Sequence, residues 1–509
     1  MLNINYLYCY FSGKVLRSLK FRKSIDRLSN QWGFRNNIYT SSRSIRYTQP
    51  TAITHPHLLK NGEIAPGITA DIYKNRRQRM IEIIRKTFPS SSENKTAHLI
   101  IIPSSSVIYM TEDIPYFFRQ NSNFLYMCGF REPKSVLVLF TLPDRSDLDY
   151  ESVLFIPRPT THSIEWEGSK MDLNTVVNFL GVDKALYTDD LETFLQSFGK
   201  SFSKFTVWYD YSNTSSHPVH NKISDFILAY SGNISVESPM KMFHQIRVIK
   251  SDVEIQLIRK SCKIAAEAMK EVMKFSRPMM SEAHLEAKMD YECRLHGADH
   301  AAFPPVVAGG ARAKTIHYTD NNQIIKDNEM VLMDAGCEFH GYVSDITRTW
   351  PVNGQFTNPQ KELYEIILSI QEEMIQLFKA KISLDDMLKI MCCKLGKKLQ
   401  ELGIIPKSVS QEKLAQAAFE MCPHHVSHYL GMDVHDTSLI SRSIKLLPGM
   451  VVTVEPGIYL SNDTKYPEKY RGLGIRLEDD ILITNDGYEV LTSNCPKKVH
   501  EIEELCKKD

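Results

Sequence analysis

The chain has 509 residues, 43% hydrophobic and 24% charged, with a formal net charge of +1. That composition excludes a disordered or low-complexity protein, and the length implies two or more domains. No apolar stretch reaches the roughly 20 residues that span a bilayer, which excludes a transmembrane segment. The ten cysteines show no CxxC spacing and no secretory signal precedes them, so they read as reduced thiols rather than a disulfide framework.

The first 60 residues depart from this average. They carry ten Lys or Arg against a single acid, Asp26, a net +9 that leaves −8 on the rest of the chain. Wound as a helix, Phe11, Val15 and Leu19 share one face, with Lys14, Arg17 and Lys20 mostly on the other. An acid-poor, Arg- and Ser-bearing amphipathic start is the pattern of a mitochondrial presequence. Residues 1–47 are assigned to it, with removal between Arg35 and Thr48, Arg46-Tyr47 being one candidate bond. A disordered basic tail or a nucleic-acid arm is the competing reading, but a mildly acidic body gives nucleic acid little to hold.

Residues 48–235 read as a first domain, in which Trp166 is expected to be a packing anchor. Segment 236–250, opening on Val236-Glu237-Ser238-Pro239-Met240, reads as a linker. Ser251-Asp252-Val253-Glu254 then fits a capping box, which starts the first helix of a second domain over 251–509. Leu257, Ile258, Ile264, Ala265 and Ala268 give that helix a core face, and 360–402 has the periodicity of a helix pair.

The chemistry lies in the second domain. Asp334, Asp345, Glu455 and Glu478 fall in segments that read as β-strand, where acidic residues are depleted. A buried carboxylate is too costly to keep unless it is paired or coordinates a metal. With His428 they form a candidate metal cluster whose oxygen-rich donors suit hard divalent ions, Mn²⁺ above all. Four carboxylates and an imidazole exceed the needs of one catalytic ion, and two ions sharing bridging carboxylates would use them all. The runs around Asp334 and Asp345 predict a hairpin. A turn centred between Phe339 and His340 would set the two acids directly opposite each other. Alternation puts Arg476 on the same strand face as Glu478, able to hold a ligand carboxylate in place. Residues 424–436 pack four histidines, His424, His425, His428 and His435, into a run that is not HExxH, because His425 stands where the glutamate base would be. His424 and His428 would share a helix face, although Gly431 and the β-branched Val426 and Val434 favour a loop or strand equally.

The blocks Thr315-Ile316-His317-Tyr318, Met333-Asp334-Ala335-Gly336, Ser344-Asp345-Ile346-Thr347-Arg348, 424–436, Val454-Glu455-Pro456-Gly457 and 471–479 together resemble the M24 metallopeptidases, most closely the aminopeptidase P type. Phe118 to Tyr126, Gly129 to Pro133, Phe155 to Arg158 and Glu165 to Gly168 resemble that family's non-catalytic domain. The resemblance implies an α/β (α+β) protein, with a creatinase-like N-terminal domain followed by a pita-bread catalytic domain. It implies that Asp345 and Glu478 bridge two divalent ions, with Asp334 on one and His428 and Glu455 on the other. His317, His424 and His435 match the histidines that contact substrate and stabilise the tetrahedral intermediate, and Arg476 matches a supporting arginine.

A bound water of lowered pKa would attack, Glu455 would carry its proton to the leaving nitrogen, and His435 would stabilise the oxyanion. Contact of the substrate α-amine with a metal and Asp334 would make the enzyme an exopeptidase.

The basic leader narrows the resemblance to the mitochondrial branch, that of X-prolyl aminopeptidase 3 and the intermediate-cleaving peptidases. That branch implies removal of one residue from imported proteins after presequence cleavage, in the matrix or peripheral to the inner membrane. The expected partners are peptide or protein N-termini, not nucleic acid, and homo-oligomerisation is left open. X-Pro peptides remain an alternative substrate, prolidase an alternative enzyme, and a catalytically silent scaffold the alternative outside enzymes.

Overall fold

The computed structural model describes residues 48–88, 96–143, 149–211 and 219–507, so the expected presequence, residues 1–47, and its candidate cleavage bond Arg46-Tyr47 lie outside the described residues. The chain divides into two compact units that part between Ile246 and Arg247.

The first unit is built on a six-stranded mixed sheet in the spatial order Lys184–Tyr187, Glu151–Ile156, Val136–Phe140, Ala97–Pro103, Phe205–Trp208, Ile234–Glu237. Ala97–Pro103, Val136–Phe140 and Glu151–Ile156 run antiparallel, and the other three pairings are parallel. The central strands are unbroken apolar runs such as Val136-Leu137-Val138-Leu139-Phe140, buried along their length as strands covered on both faces must be. Phe194 and Phe198 pack on Phe140, and Phe226 stacks on Phe205.

Two sequence expectations are corrected here. Segment 236–250, read as a linker, contains the division between the units but carries regular structure, with Val236 and Glu237 completing the sixth strand and Met240–Arg247 helical. Its alternation of apolar and polar residues was short enough to pass for a connection. Trp166 is no anchor: it is 73% exposed and stacks on His162, one helical turn away.

In the second unit helices precede strands in two successive stretches. Asp252–Phe275 and Glu282–Leu295 precede the antiparallel strands Val306–Gly309, Met330–Ala335 and Ile346–Pro351. Asn358–Gln376, Leu384–Glu401 and Gln411–Met421 then precede Val451–Val454, Gly457–Tyr459, Gly474–Arg476 and Asp479–Thr484. The capping box at Ser251 is present, with Glu254 Oε2 accepting from the Ser251 backbone N–H at 3.0 Å. The two helices expected over 360–402 are there as well. Among the described residues all nine cysteines are free, and no helix is long and apolar enough to cross a membrane.

Candidate active site

All nine residues singled out from the sequence line one cavity of about 880 Å³: Asp334, Asp345, His428, Glu455, Glu478, Arg476, His317, His424 and His435. The strand framework explains how. Of the four carboxylates, Asp334 alone lies inside a strand, Met330–Ala335, while Arg476 ends the strand Gly474–Arg476. Asp345 precedes Ile346–Pro351, Glu455 follows Val451–Val454, and Glu478 precedes Asp479–Thr484. Three acids therefore sit where strands break, freed from pairing to turn inward.

The hairpin register differs from the expected one. Glu338 pairs Val343 and Phe339 pairs Tyr342, so the turn is His340-Gly341, with both residues left-handed at φ 50° and 84°. That is the conformation of a two-residue hairpin turn with inverted sign. Asp334 consequently pairs Thr347, not Asp345. Moving the turn by one residue shifts each partner by two, and side chains alternate with period two, so Asp345 stays on the face of Asp334. Between them the chains press together at Gly336, where a Cβ would lie 1.8 Å from the Ser344 carbonyl oxygen.

Residues 424–436 form neither helix nor regular strand, but a loop tied to the strand Val451–Val454 and its end by backbone hydrogen bonds from Leu430 to Val451, Thr453 to His428 and Glu455 to Val426. His428 Nδ1 lies 3.2 Å from the Tyr429 carbonyl, which can only accept. The proton therefore belongs on Nδ1, leaving a lone pair on Nε2. Nε2 faces Asp345 Oδ2 and Glu455 Oε1, each at 3.5 Å, and all three are acceptors. The ligand atoms of Asp345, His428 and Glu478 lie within 4.8 Å of one another. Asp334 Oδ1 and Asp345 Oδ1 are buried with no hydrogen-bond partner among the described residues. Converging acceptors and orphaned carboxylate oxygens fit a cation, and four carboxylates, of which Asp334 alone bonds a guanidinium among the described residues, fit more than one.

Supporting groups fix the geometry. Arg476 donates from Nη2 to Asp334 Oδ2 at 2.6 Å, from Nε to the Thr347 hydroxyl at 3.2 Å, and from Nη1 to the Tyr459 hydroxyl at 2.8 Å. Thr347 donates to Glu478 Oε2 at 2.6 Å, so Arg476 and Glu478 do meet, through a shared hydroxyl. Tyr459 OH also lies 2.8 Å from His424 Nε2, while His424 Nδ1 lies 3.0 Å from the His425 carbonyl. Asp480 accepts the Asp345 backbone N–H at 2.9 Å, and the Thr453 hydroxyl donates to Glu455 at 3.3 Å.

Thr347, Thr453, Tyr459 and Asp480 were not singled out from the sequence. Thr347, two residues from Asp345, is the one that alternation could have flagged.

Burial and the neighbouring Asp334 push Asp345 well above the carboxylate range, and burial with Asp345 does the same to Glu478. Burial also raises Glu455. Burial, with His428 and His317 close by, lowers His435 to about 4, which leaves its imidazole neutral at neutral pH. The raised carboxylates set a sign. Above an ordinary carboxylate pKa of about 4, the unfolded chain is deprotonated while the metal-free site still holds protons. The stability of metal-free protein therefore drops as pH rises through that window, and cations that take the place of those protons reverse the loss. The gap in Tm between metal-loaded and chelated protein should widen from pH 4.5 to 7.5. A gap that narrows would contradict this electrostatic account.

Comparison with known proteins agrees with this reading. The pattern of metallopeptidase family M24 matches residues 256–485, and that of the aminopeptidase P N-terminal domain matches residues 73–208. Human Xaa-Pro aminopeptidase 3 is 43% identical over 462 residues, covering 90% of each chain. Mitochondrial intermediate cleaving peptidase 55 of Arabidopsis thaliana is 37% identical, covering 95% of this chain and 92% of its own. Zn-substituted Escherichia coli aminopeptidase P in complex with product superposes with a TM-score of 0.78 at 33% identity, over 87% of this chain and all of that one. With domain order, fold and overall similarity in agreement, the chain belongs to metallopeptidase family M24 as a metal-dependent aminopeptidase of the aminopeptidase P type.

Proposed function

We propose that this protein is a mitochondrial aminopeptidase that uses two divalent ions, Mn²⁺ by donor chemistry, to remove a single N-terminal residue from peptides or from imported proteins after presequence cleavage. The observation that carries the metal assignment is the convergence of Asp345, His428 and Glu478 beside the orphaned oxygens of Asp334 and Asp345. In this reading Asp334, Asp345, His428, Glu455 and Glu478 would hold the ions. Bound divalent ions supply Lewis acidity and lower the pKa of a water to the neutral range.

The chain's own groups do the rest. Asp334 Oδ1, left free while Arg476 occupies Oδ2, accepts from the substrate's α-amine and so fixes the cut at the first peptide bond. Glu455 takes the proton of the attacking water and returns it to the leaving nitrogen. His435, neutral in its buried position, donates a hydrogen bond to the developing oxyanion, with His317 and His424 holding the substrate around it. Phe303, Pro304, Ile316 and Val434 give the cavity an apolar wall that keeps bulk water from the reacting bond.

The basic leader, together with the mitochondrial peptidase among its relatives, supports the cellular placement. The test is mass spectrometry of peptides incubated with Mn²⁺-loaded residues 48–509, each beside a chelated control. Loss of one residue from Tyr-Ser-Ala and Leu-Ser-Thr, stopped by chelation, is the expected result. Cleavage confined to Arg-Pro-Pro would replace trimming with strict X-prolyl specificity, and activity confined to dipeptides would point to prolidase.

A further inference from the structure

His317 is a site residue on irregular backbone. It stands on an exposed segment between the short helix Gly310–Lys314 and Gln323, yet it reaches the same cavity as His435. Side chains reaching in from a neighbouring helix hold this segment. Glu282, at the start of Glu282–Leu295, is fully buried, and each of its carboxylate oxygens accepts twice. Oε1 takes the Gly309 N–H at 2.8 Å and Arg312 Nε at 2.6 Å. Oε2 takes the Tyr318 hydroxyl at 2.9 Å and the Gln323 N–H at 3.0 Å.

All four donors belong to residues 309–323, on both sides of His317. One turn along the helix, Glu286 accepts from Asn321 Nδ2 at 2.9 Å. Asn321 itself is left-handed at φ 46°, with its side chain accepting from Val307 N–H at 2.9 Å and donating to the Pro305 carbonyl at 2.9 Å. None of these groups lines the cavity.

A buried carboxylate spending its whole acceptor capacity on one catalytic segment does more than cap a helix. We infer that Glu282 is a positioning residue that fixes His317 in the active-site cavity by clamping the segment 309–323 from both ends. The inference rests on His317 acting on substrate, as proposed above. Glu282→Gln keeps the shape but exchanges acceptor capacity for an amide NH₂, which the backbone N–H donors cannot satisfy. A misplacement of about 1 Å is enough to cost about 10²-fold in rate.

The test is a double-mutant cycle of Glu282→Gln and His317→Ala in the full-length, Mn²⁺-loaded chain, read as kcat/KM on Tyr-Ser-Ala and Arg-Pro-Pro, with metal content measured beside it. Residues acting as a unit give non-additive losses, whereas independent ones add. Glu282→Gln should lower kcat/KM by about 10²-fold in the wild-type background and by less than about 3-fold once His317 is gone, with metal content unchanged. Tyr318→Phe removes one donor of the four and should show the same dependence on His317 at smaller amplitude, which keeps the test available if Glu282→Gln does not fold. If His317→Ala lowers activity but the losses add, Glu282 is merely structural and the inference is overturned while the proposed function stands. If His317→Ala leaves kcat/KM unchanged, the role given to His317 fails and the inference falls with it.

Discussion

Replacement of Glu455 by Gln is expected to lower kcat by about 10²–10⁴-fold, the range that a general acid–base group contributes, while the fold survives. Glu455 follows Val451–Val454 and is held through its backbone N–H to the Val426 carbonyl at 2.9 Å, a bond the substitution leaves alone. Among the described residues its side chain receives only the Thr453 hydroxyl, at 3.3 Å, and faces His424 Nδ1 at 3.7 Å and His428 Nε2 at 3.5 Å. A Gln of the same length keeps the packing but cannot take up a proton. Circular dichroism and Tm should remain close to wild type, and peptide should still bind. Turnover within 3-fold of wild type, with metal content unchanged, would remove Glu455 from the proton-transfer role.

Arg348→Met is expected to destabilise the second unit by about 3–5 kcal/mol, the cost of removing one partner from a buried ion pair. Arg348 is wholly buried and donates to Asp479 Oδ1 at 2.7 Å and to the carbonyls of Glu478 at 2.6 Å and Cys495 at 3.0 Å. Asp479 is equally buried and receives Lys497 at 2.7 Å, Gln371 at 3.1 Å and Thr492 at 2.8 Å. Burial works against its charge, but Arg348 and Lys497 outweigh it and hold the carboxyl below the usual range. Methionine fills the volume and leaves Lys497 as the one cation bonded to Asp479 among the described residues, beside the neutral donors Gln371 and Thr492. It also strands the Glu478 carbonyl, so the backbone beside a candidate metal ligand loses its anchor. For a unit of this size a Tm lower by about 10 °C follows, together with weaker metal retention. A Tm within about 2 °C of wild type would show that the network carries no such weight.

Both residues bear on what the sequence could reveal. The candidate ligands were legible because a charged residue inside an apolar, β-branched run contradicts its surroundings, and that contradiction needs no structure to be seen. Glu455 and Glu478 stand out in this way, as do Asp334 and Asp345. Arg348 carries the same contradiction, buried in Ile346–Pro351, but Glu478 and Asp479 lie 130 and 131 residues away and nothing local announces them. Tyr459 and Thr453 were silent for another reason: both are ordinary strand formers, and their hydroxyls matter only through what faces them. The hairpin turn was misplaced by one residue because left-handed His340 is a rarer turn former than Asn or Asp, although Gly341 beside it carried the signal. The error spared the site because alternation preserves the face. The strand Ile234–Glu237, whose last two residues enter segment 236–250, is too short to read, since four residues do not establish a period.

The central claim is that five side chains hold two divalent ions, and the most direct measurement is the metal content of the purified full-length chain after Mn²⁺ loading and gel filtration, beside Asp345→Asn. Two equivalents per chain, falling below one when the proposed ligand carboxylate is neutralised, is the predicted result. One equivalent or none in the wild type, or two retained by Asp345→Asn, would contradict the dinuclear site.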